Sequence, residues 1–209
     1  MNKKLIVGLA ILAAIAYTFL GQNNDASPEE KEAFNTEILK YRDDQVKGLQ
    51  ATDYEPFYND STFQGLSYFS PNLQYKVNAR LDWNDNAERI AVPTSSGKKK
   101  YFKKAVTAHF SLNGNDHELI LLKPEANAML NYYFLAFTDL TSGEETYGGG
   151  RYINIEGLKK GQLQTTIDFN KAYNPYCAYK DGYNCPIPLR ENRLATKVEA
   201  GEKNYQASH

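Results

Sequence analysis

The chain has 209 residues and a formal net charge of -1, so it lacks the basic field of a nucleic-acid-binding protein and the acidic excess of a solvating tail. Its 16 Tyr and 10 Phe, beside one Trp and two Met, are typical of pleated, half-buried strands. Domains commonly hold roughly 100–200 residues, so this length predicts one domain that folds without a structural metal.

The chain starts with the pattern of a targeting segment. Lys3 and Lys4 precede an apolar stretch over residues 5–20, as the positive and apolar regions of a secretory signal do. Cleavage after Ala16 and retention as a membrane anchor are both compatible with this stretch, which is almost long enough to span a thin bilayer. Because positively charged residues stay on the cytoplasmic side, we expect the rest of the chain to be exported to the periplasm or the cell surface.

The organisation of the chain follows from this segment. We predict a signal peptide or N-terminal anchor over residues 1–21, a linker over residues 22–27, and a single β-rich domain over residues 28–205. The protein then contacts the membrane only through its N-terminal segment.

A helix is predicted directly after the linker. Ser27 can cap its start, Pro28 suits its first position, and Glu30 completes a capping box. Gly48 is a natural stop. Apolar side chains recur at helical spacing between these signals, at Phe34, Ile38 and Tyr41. The pattern predicts an amphipathic helix that packs through this stripe onto its own domain.

Beyond the helix, the apolar residues follow a two-residue period that is typical of strands. The predicted strands cover residues 73–83, 106–112, 119–122, 132–137, 152–155, 163–169 and 194–198. Asn113 and Gly114 supply a hairpin turn, and the continuous apolar run of residues 132–137 predicts a strand buried on both faces. Short strands joined by hairpin-like connections favour a mainly β fold, an antiparallel β-barrel or sandwich with one N-terminal amphipathic helix.

Two polar segments interrupt the strand pattern, and the first covers residues 139–151. Its three consecutive glycines could present backbone amides that, with Arg151, hold a carboxylate or phosphate. Its acidic groups could instead bind a hard cation, although their spacing is not that of an EF-hand. In a third interpretation it is a tight loop in which Asp139 satisfies backbone groups and Arg151 pairs with an acid. The candidate ligand-binding residues here are Asp139, Thr141, Ser142, Glu145, Tyr147 and Arg151.

The second polar segment runs over residues 168–188, where several prolines demand a rigid path. Its candidate ligand-binding residues are Asp168, Asn170 and Asn174. Cys177 and Cys185 are the only cysteines, and in an exported protein such a close pair most simply forms a disulfide. Two cysteines without nearby histidines are a poor zinc site, so we expect no metal and no cofactor.

Long motifs within both segments resemble a known family. The stretches 137–152, 168–179, 185–188, 191–194 and 200–203, together with 63–69 upstream, resemble the bacterial and archaeal domain of unknown function 1684 family. The resemblance covers nearly everything after the linker and departs at Leu189, where a second proline is expected after Pro188. It implies no activity, substrate or catalytic residue, but it implies that the two segments belong together. It also implies that relatives without a signal share the cysteine pair, which leaves packed thiols or a ligand site open beside a disulfide.

Taken together, these features favour an exported cell-envelope domain that binds a small anionic or polar ligand where residues 139–151 meet residues 170–188. The alternative is an enzyme. The common nucleophile, zinc and phosphate-loop motifs do not occur in the sequence, so an enzyme would be a hydrolase or lyase that uses carboxylate and tyrosine groups. A purely structural envelope protein is the third possibility. The sequence indicates no nucleic-acid partner and does not indicate an oligomeric state.

Overall fold

A computed structural model describes residues 26–125 and 132–206. The predicted signal or anchor over residues 1–21 lies outside the described residues, as does nearly all of the linker. Within the described ranges, no helix has both the length and the apolar character needed to cross a membrane.

Helix α1 spans Pro28–Gly48, as the capping signals predict. The Ser27 hydroxyl accepts a hydrogen bond from the Glu30 amide at 3.2 Å, and the Glu30 carboxylate accepts one from the Ser27 amide at 2.7 Å. This reciprocal pair satisfies two amide donors at the helix start. The helix buries Phe34, Ile38 and Arg42, its Tyr41, Gln45 and Val46 are partly buried, and its other positions are exposed.

In the part of the chain that the structure describes, seven antiparallel strands form one sheet that curls into a half-barrel. The strands are β1 Lys76–Trp83, β2 Arg89–Pro93, β3 Lys99–Leu112, β4 Asn115–Pro124, β5 Tyr132–Phe137, β6 Arg151–Glu156 and β7 Gln164–Asp168. Their order across the sheet is β6-β5-β4-β3-β1-β7, and β2 pairs with the first half of β3. The predicted mainly β, antiparallel fold with one N-terminal helix is thus confirmed.

The observed strands differ from the predicted ones in number and in extent, since β3 and β4 are longer than predicted. Strand β2 has no counterpart among the predictions, and Leu73–Tyr75 forms a 3₁₀ turn instead of starting β1. The strand predicted over residues 194–198 does not form. That stretch bends at Ala195 and Thr196, and its backbone bonds to the first polar segment instead of to a strand. The Leu140 amide donates to the Thr196 carbonyl at 3.1 Å, and the Val198 amide donates to the Asp139 carboxylate at 3.2 Å.

Both faces of the sheet carry apolar clusters. The larger cluster fills the inside of the curl, where Ile155 on one edge strand and Ile167 on the other belong to the same core. The smaller cluster lies on the outer face and is built around Phe102, Phe134 and Tyr152. Strand β5 contributes to both clusters, which explains its continuous apolar run.

A β-bulge in β3 decides which face its aromatic residues occupy. The register shifts between Lys104 and Val106, so Phe102 lies on the outer face while Phe110 lies inside the curl. Without the bulge, strict alternation would place these two residues on the same face, because they are separated by an even number of positions. The bulge therefore supplies an aromatic side chain to the outer surface.

Candidate functional site

Arg151 lies entirely inside the protein, with 0% of its surface exposed. Its guanidinium donates to the Asp139 carboxylate at 3.0 Å and to the Val198 carbonyl at 2.9 Å. It also donates to the carbonyls of Ala200 and Glu202. Burial lowers the pKa of Arg151, and the neighbouring Asp139 carboxylate opposes that effect. Protein acceptors therefore occupy both terminal nitrogens of the guanidinium and tie β6 to the C-terminal segment, while its Nε has no hydrogen-bond partner among the described residues.

Most of the other polar side chains of the first polar segment also bond to protein groups, within the segment and in the C-terminal stretch. One carboxylate oxygen of Asp139 accepts from the Thr141 amide at 2.8 Å and from the Thr141 hydroxyl at 2.7 Å. The Ser142 hydroxyl accepts from the Asp139 amide at 3.1 Å. At the surface, Glu145 pairs with Lys197 at 3.2 Å. This matches the tight-loop interpretation: Asp139 accepts from backbone amides and pairs with Arg151, and Glu145 pairs with a second cation, Lys197.

The glycine run of this segment is used for close packing. Gly150 has a φ of 85°, and a Cβ atom there would lie 2.5 Å from the Phe137 carbonyl oxygen and 2.7 Å from Pro188. Tyr147 packs its ring over the neighbouring Gly149. The glycines thus let the first segment touch the end of the second segment.

In the second polar segment, Asn174 holds a buried carboxyl group. Its amide and side-chain nitrogen donate to Glu202 at 2.9 Å and 2.7 Å, and the Tyr179 hydroxyl donates to the same carboxyl at 2.7 Å. Burial raises the pKa of Glu202 to about 7. Glu202 was not among the predicted site residues. Its only signal in the sequence is its position in the family-like stretch 200–203.

Asn170 and Asp168 anchor the start of the second segment. The Asn170 side chain accepts from the Asn72 amide at 2.8 Å and donates to the Asn72 carbonyl at 2.9 Å. One oxygen of Asp168 accepts from the Asn170 amide at 3.0 Å. The other oxygen, Oδ2, is buried and has no hydrogen-bond partner among the described residues. Burial raises the pKa of the Asp168 carboxyl.

The structure places the two polar segments side by side. Besides the Gly150–Pro188 contact, the backbones of Tyr152 and Tyr173 exchange two hydrogen bonds, and the Tyr152 hydroxyl donates to the Pro186 carbonyl. This junction is tightly packed. The candidate residues of the first segment therefore do not share an open site with those of the second.

An open cavity lies instead between the outer face of the sheet and the second segment. Its volume is about 740 Å³, and most of its lining is apolar. Strands β3, β5 and β6 supply one wall, and residues 173–186 supply the other. The aromatic residues that line it are Tyr101, Phe102, Tyr132, Phe134, Tyr152, Tyr173, Tyr176 and Tyr183.

The aromatic rings of this cavity support one another. Phe102 and Phe134 stack with centroids 5.6 Å apart, and Tyr152 meets Phe134 edge-on at 4.7 Å. Tyr176 and Tyr183 make a similar edge contact at 5.1 Å on the opposite wall. Such offset and edge-on pairs are favourable, so these contacts stabilise both walls of the cavity.

Basic side chains surround the mouth of the cavity. The Arg89 guanidinium lies 3.9 Å from the centre of the Tyr101 ring and pairs with Glu125 at 2.7 Å. Lys99 and Lys100 line the same rim and are exposed. Three cations therefore face one carboxylate at this opening.

A disulfide between Cys177 and Cys185 braces the wall formed by the second segment. Their Cα atoms are 6.3 Å apart. The segment is also tied to the sheet, because the Ser95 amide donates to the Cys185 carbonyl at 2.9 Å and the Ile187 amide donates to the Pro93 carbonyl at 2.9 Å. Among the described residues, no group of three or more His, Cys, Asp and Glu side chains is arranged to hold a metal ion.

Comparison with known proteins finds a family without an assigned activity. A family model described as "Protein of unknown function (DUF1684)" matches residues 61–203. No curated protein matches the chain. Among solved structures, the chain is similar to the solution NMR structure of an uncharacterized protein of Haloarcula marismortui. The two are 33% identical, the match covers 85% of this chain and 97% of the other, and the TM-score is 0.66.

Proposed function

The chain belongs to the DUF1684 family of proteins of unknown function, and we propose that it is an exported domain that binds a small apolar molecule with an anionic group. The binding site in this proposal is the aromatic cavity between the outer face of the sheet and residues 173–186. The sequence-based expectation of a small anionic or polar ligand is kept in part: the anionic group remains, but the rest of the ligand is apolar.

The cavity itself carries the proposal. Its volume of about 740 Å³ falls within the range of roughly 300–1,000 Å³ that is usual for small-molecule sites. Its walls are mainly aromatic, as such sites commonly are, and burying an apolar ligand against them removes apolar surface from water. Flat ring systems or short acyl chains match these walls best, because tyrosine and phenylalanine rings offer broad faces and edges.

The charges at the mouth select the polar end of the ligand. Lys99 and Lys100 are exposed at the rim, and Arg89 is only partly neutralised by Glu125. An anionic group held there would gain from these cations while staying accessible to water, so the gain should weaken as salt is added.

The first polar segment has a supporting role in this proposal. Asp139 accepts three hydrogen bonds on one oxygen and pairs with Arg151 through the other. The side chain is 0% exposed, so these protein donors hold the carboxylate away from any substrate, and the enzyme alternative gains no support here. The Gly150–Pro188 contact positions the end of the second segment, and through it the cavity wall.

Binding can be tested with 1-anilinonaphthalene-8-sulfonate, a fluorescent probe that combines aromatic rings with one sulfonate. We expect a saturable increase in fluorescence for the purified protein. The double variant Lys99→Gln, Lys100→Gln should bind the probe roughly five- to tenfold more weakly at low salt, which corresponds to about 1 kcal/mol. Lys98→Gln, one position outside the cavity lining, is the matched control and should bind normally.

Two results would contradict this site. The first is probe binding that is equally strong in the double variant and in the control. The second is unchanged binding when Tyr176, on the opposite wall, is replaced by alanine. Either result would place the probe elsewhere on the molecule.

Export is proposed from Lys3, Lys4 and the apolar residues 5–20, and it is compatible with the Cys177–Cys185 disulfide. It can be tested by adding protease to cells whose outer barrier is opened while the cytoplasmic membrane stays intact. An exported domain is digested, whereas a domain retained in the cytoplasm is protected. Replacing Lys3 and Lys4 by glutamate should reduce the digested fraction.

A further inference from the structure

A second cavity lies where the half-barrel stays open. Strands β6 and β7 are the two edges of the sheet among the described strands, and a cleft of about 550 Å³ separates them. Helix α1 covers this cleft with Tyr41 and Gln45. The cleft shares only Asn154 and Tyr173 with the aromatic cavity, so it is a separate space with different walls.

The edge of β6 presents backbone groups to this cleft. Tyr152 uses both its amide and its carbonyl to bond with Tyr173, on the side away from β5. Outward-facing groups alternate along a strand, so the backbone groups of Asn154 and Glu156 face the same way. Both residues line the cleft.

Asp168 is the group in the cleft that most needs a partner. The residue is 7% exposed, its Oδ1 atom accepts from the amide and side chain of Asn170, and its Oδ2 atom has no partner among the described residues. Buried carboxylate oxygens are normally hydrogen-bonded, and an orphan usually marks a missing water or ligand. Asp168 lines the cleft, but Oδ2 itself has almost no accessible surface, so a ligand must shift part of the cleft wall before its hydroxyl can donate to this oxygen.

Nearby charges determine the kind of donor. The charges of Lys76 and Lys171 act on the Asp168 carboxyl, and both lysines pair with Glu37, at 3.6 Å and 2.6 Å. Two carboxylates, Asp168 and Glu156, line the cleft beside these two cations, so neither an ammonium nor an anionic ligand gains a net attraction there. A neutral hydroxyl needs no such attraction and still satisfies Oδ2.

The remaining walls combine polar groups with ring faces. Thr165, Thr166, Asn154 and Gln45 provide hydroxyl and amide groups, and Tyr41 and Tyr173 provide aromatic surface. A molecule with several hydroxyls on one side and C–H groups on its ring faces matches this mixture. Sugars have this chemistry, and the cleft has room for one or two sugar rings.

We propose that the cleft between β6 and β7 is a saccharide-binding site in which a sugar hydroxyl donates to Asp168 Oδ2. This site is independent of the aromatic cavity, so either proposal can fail without the other. Helix α1 forms its cover, and the lysine pairs with Glu37 hold that cover in place.

The test is a titration of the full protein with methyl α-D-glucopyranoside, methyl β-D-galactopyranoside and N-acetylglucosamine, followed by saturation-transfer NMR. We expect at least one of them to bind with a dissociation constant in the millimolar range, on the order of 1–10 mM. Asp168→Asn keeps the oxygen that accepts from Asn170 and replaces the orphan acceptor by a donor. It should weaken binding about tenfold or more.

Matched variants separate this role from a general loss of structure. Asp85→Asn alters an exposed carboxylate that pairs only with Lys160 and should bind like the unmodified protein. Gln45→Ala changes the helix cover without touching the sheet and should weaken binding severalfold. The proposal is overturned if none of the three sugars binds at about 50 mM, far above the expected constants, or if Asp168→Asn and Gln45→Ala both bind as well as Asp85→Asn.

Discussion

Replacing Arg151 by methionine tests whether this residue holds the fold together. Methionine fills a similar volume but cannot donate hydrogen bonds. The Asp139 carboxylate would lose its ion-pair partner, and the carbonyls of Val198, Ala200 and Glu202 would lose a donor. All of these groups lie in the protein interior or at its boundary, so water cannot readily replace the guanidinium.

The size of the effect follows from burial. Both side chains of the Arg151–Asp139 pair are 0% exposed, and breaking a buried pair by removing one partner costs about 3–5 kcal/mol. Asp139 keeps the hydrogen bonds from Thr141 and Val198, which should hold the loss near the lower end. By contrast, Glu145→Gln removes a surface pair with Lys197, and surface pairs contribute roughly 0–1 kcal/mol.

Urea unfolding at neutral pH, followed by circular dichroism, measures both changes. We expect Arg151→Met to lower the free energy of unfolding by about 3 kcal/mol or more and Glu145→Gln to change it little. The double variant Arg151→Met, Asp139→Asn should lose less than the sum of the single variants, by about 0.5–3 kcal/mol. A loss below about 1 kcal/mol for Arg151→Met, in the range of a surface pair, would refute the structural role.

Two further predictions concern Glu202 and Gly150. Burial raises the pKa of Glu202 from its ordinary value of 4.5 to about 7, so the stability it contributes is complete below pH 4.5 and is lost as pH rises through about 7. At about 1.4 kcal/mol per pKa unit, the free energy of unfolding falls by about 3 kcal/mol over this pH range. Urea unfolding across the range should show this fall, and Glu202→Gln should make the free energy of unfolding less dependent on pH. An equal pH dependence in the variant would contradict the assignment. Gly150→Ala should cost about 2 kcal/mol or more, because a positive φ is combined with contacts of 2.5 Å and 2.7 Å. Gly157 also has a positive φ, but no atom lies within 4 Å of a Cβ added there. Gly157→Ala should therefore cost only about 1–2 kcal/mol. Equal losses at the two sites would argue against the close packing at Gly150.

The sequence alone was sufficient for the elements whose causes are local. The capping box of Ser27 and Glu30 starts helix α1 with the predicted geometry. Asn113 and Gly114 adopt positive φ values of 53° and 76°, as their residue types favour, and join β3 to β4. The apolar run of β5 predicts burial on both faces, and clusters on both faces contain its residues. Each of these features depends on residues within a few positions of one another.

The tertiary structure decided how the candidate site residues are used. For Arg151, the sequence left open whether it holds a ligand or pairs with an acid, because three of its four acceptors lie 47 to 51 positions away. The same holds for Glu202, whose partners Asn174 and Tyr179 come from a different segment. Hydrogen-bond partners this distant leave no periodic signal, so only the folded chain reveals them.

The position of the open cavity also depended on the fold. The bulge between Lys104 and Val106 moves Phe102 to the outer face, and alternation along the sequence cannot reveal where one extra residue is inserted. Likewise, alternation in β6 and β7 indicates which side chains are buried, but the curl of the whole sheet determines that these two edges flank a cleft containing Asp168. The sequence by itself thus determined the helix, most strands and their buried faces. Long-range pairing, bulges and curvature decided which polar groups are internally satisfied and which face open space.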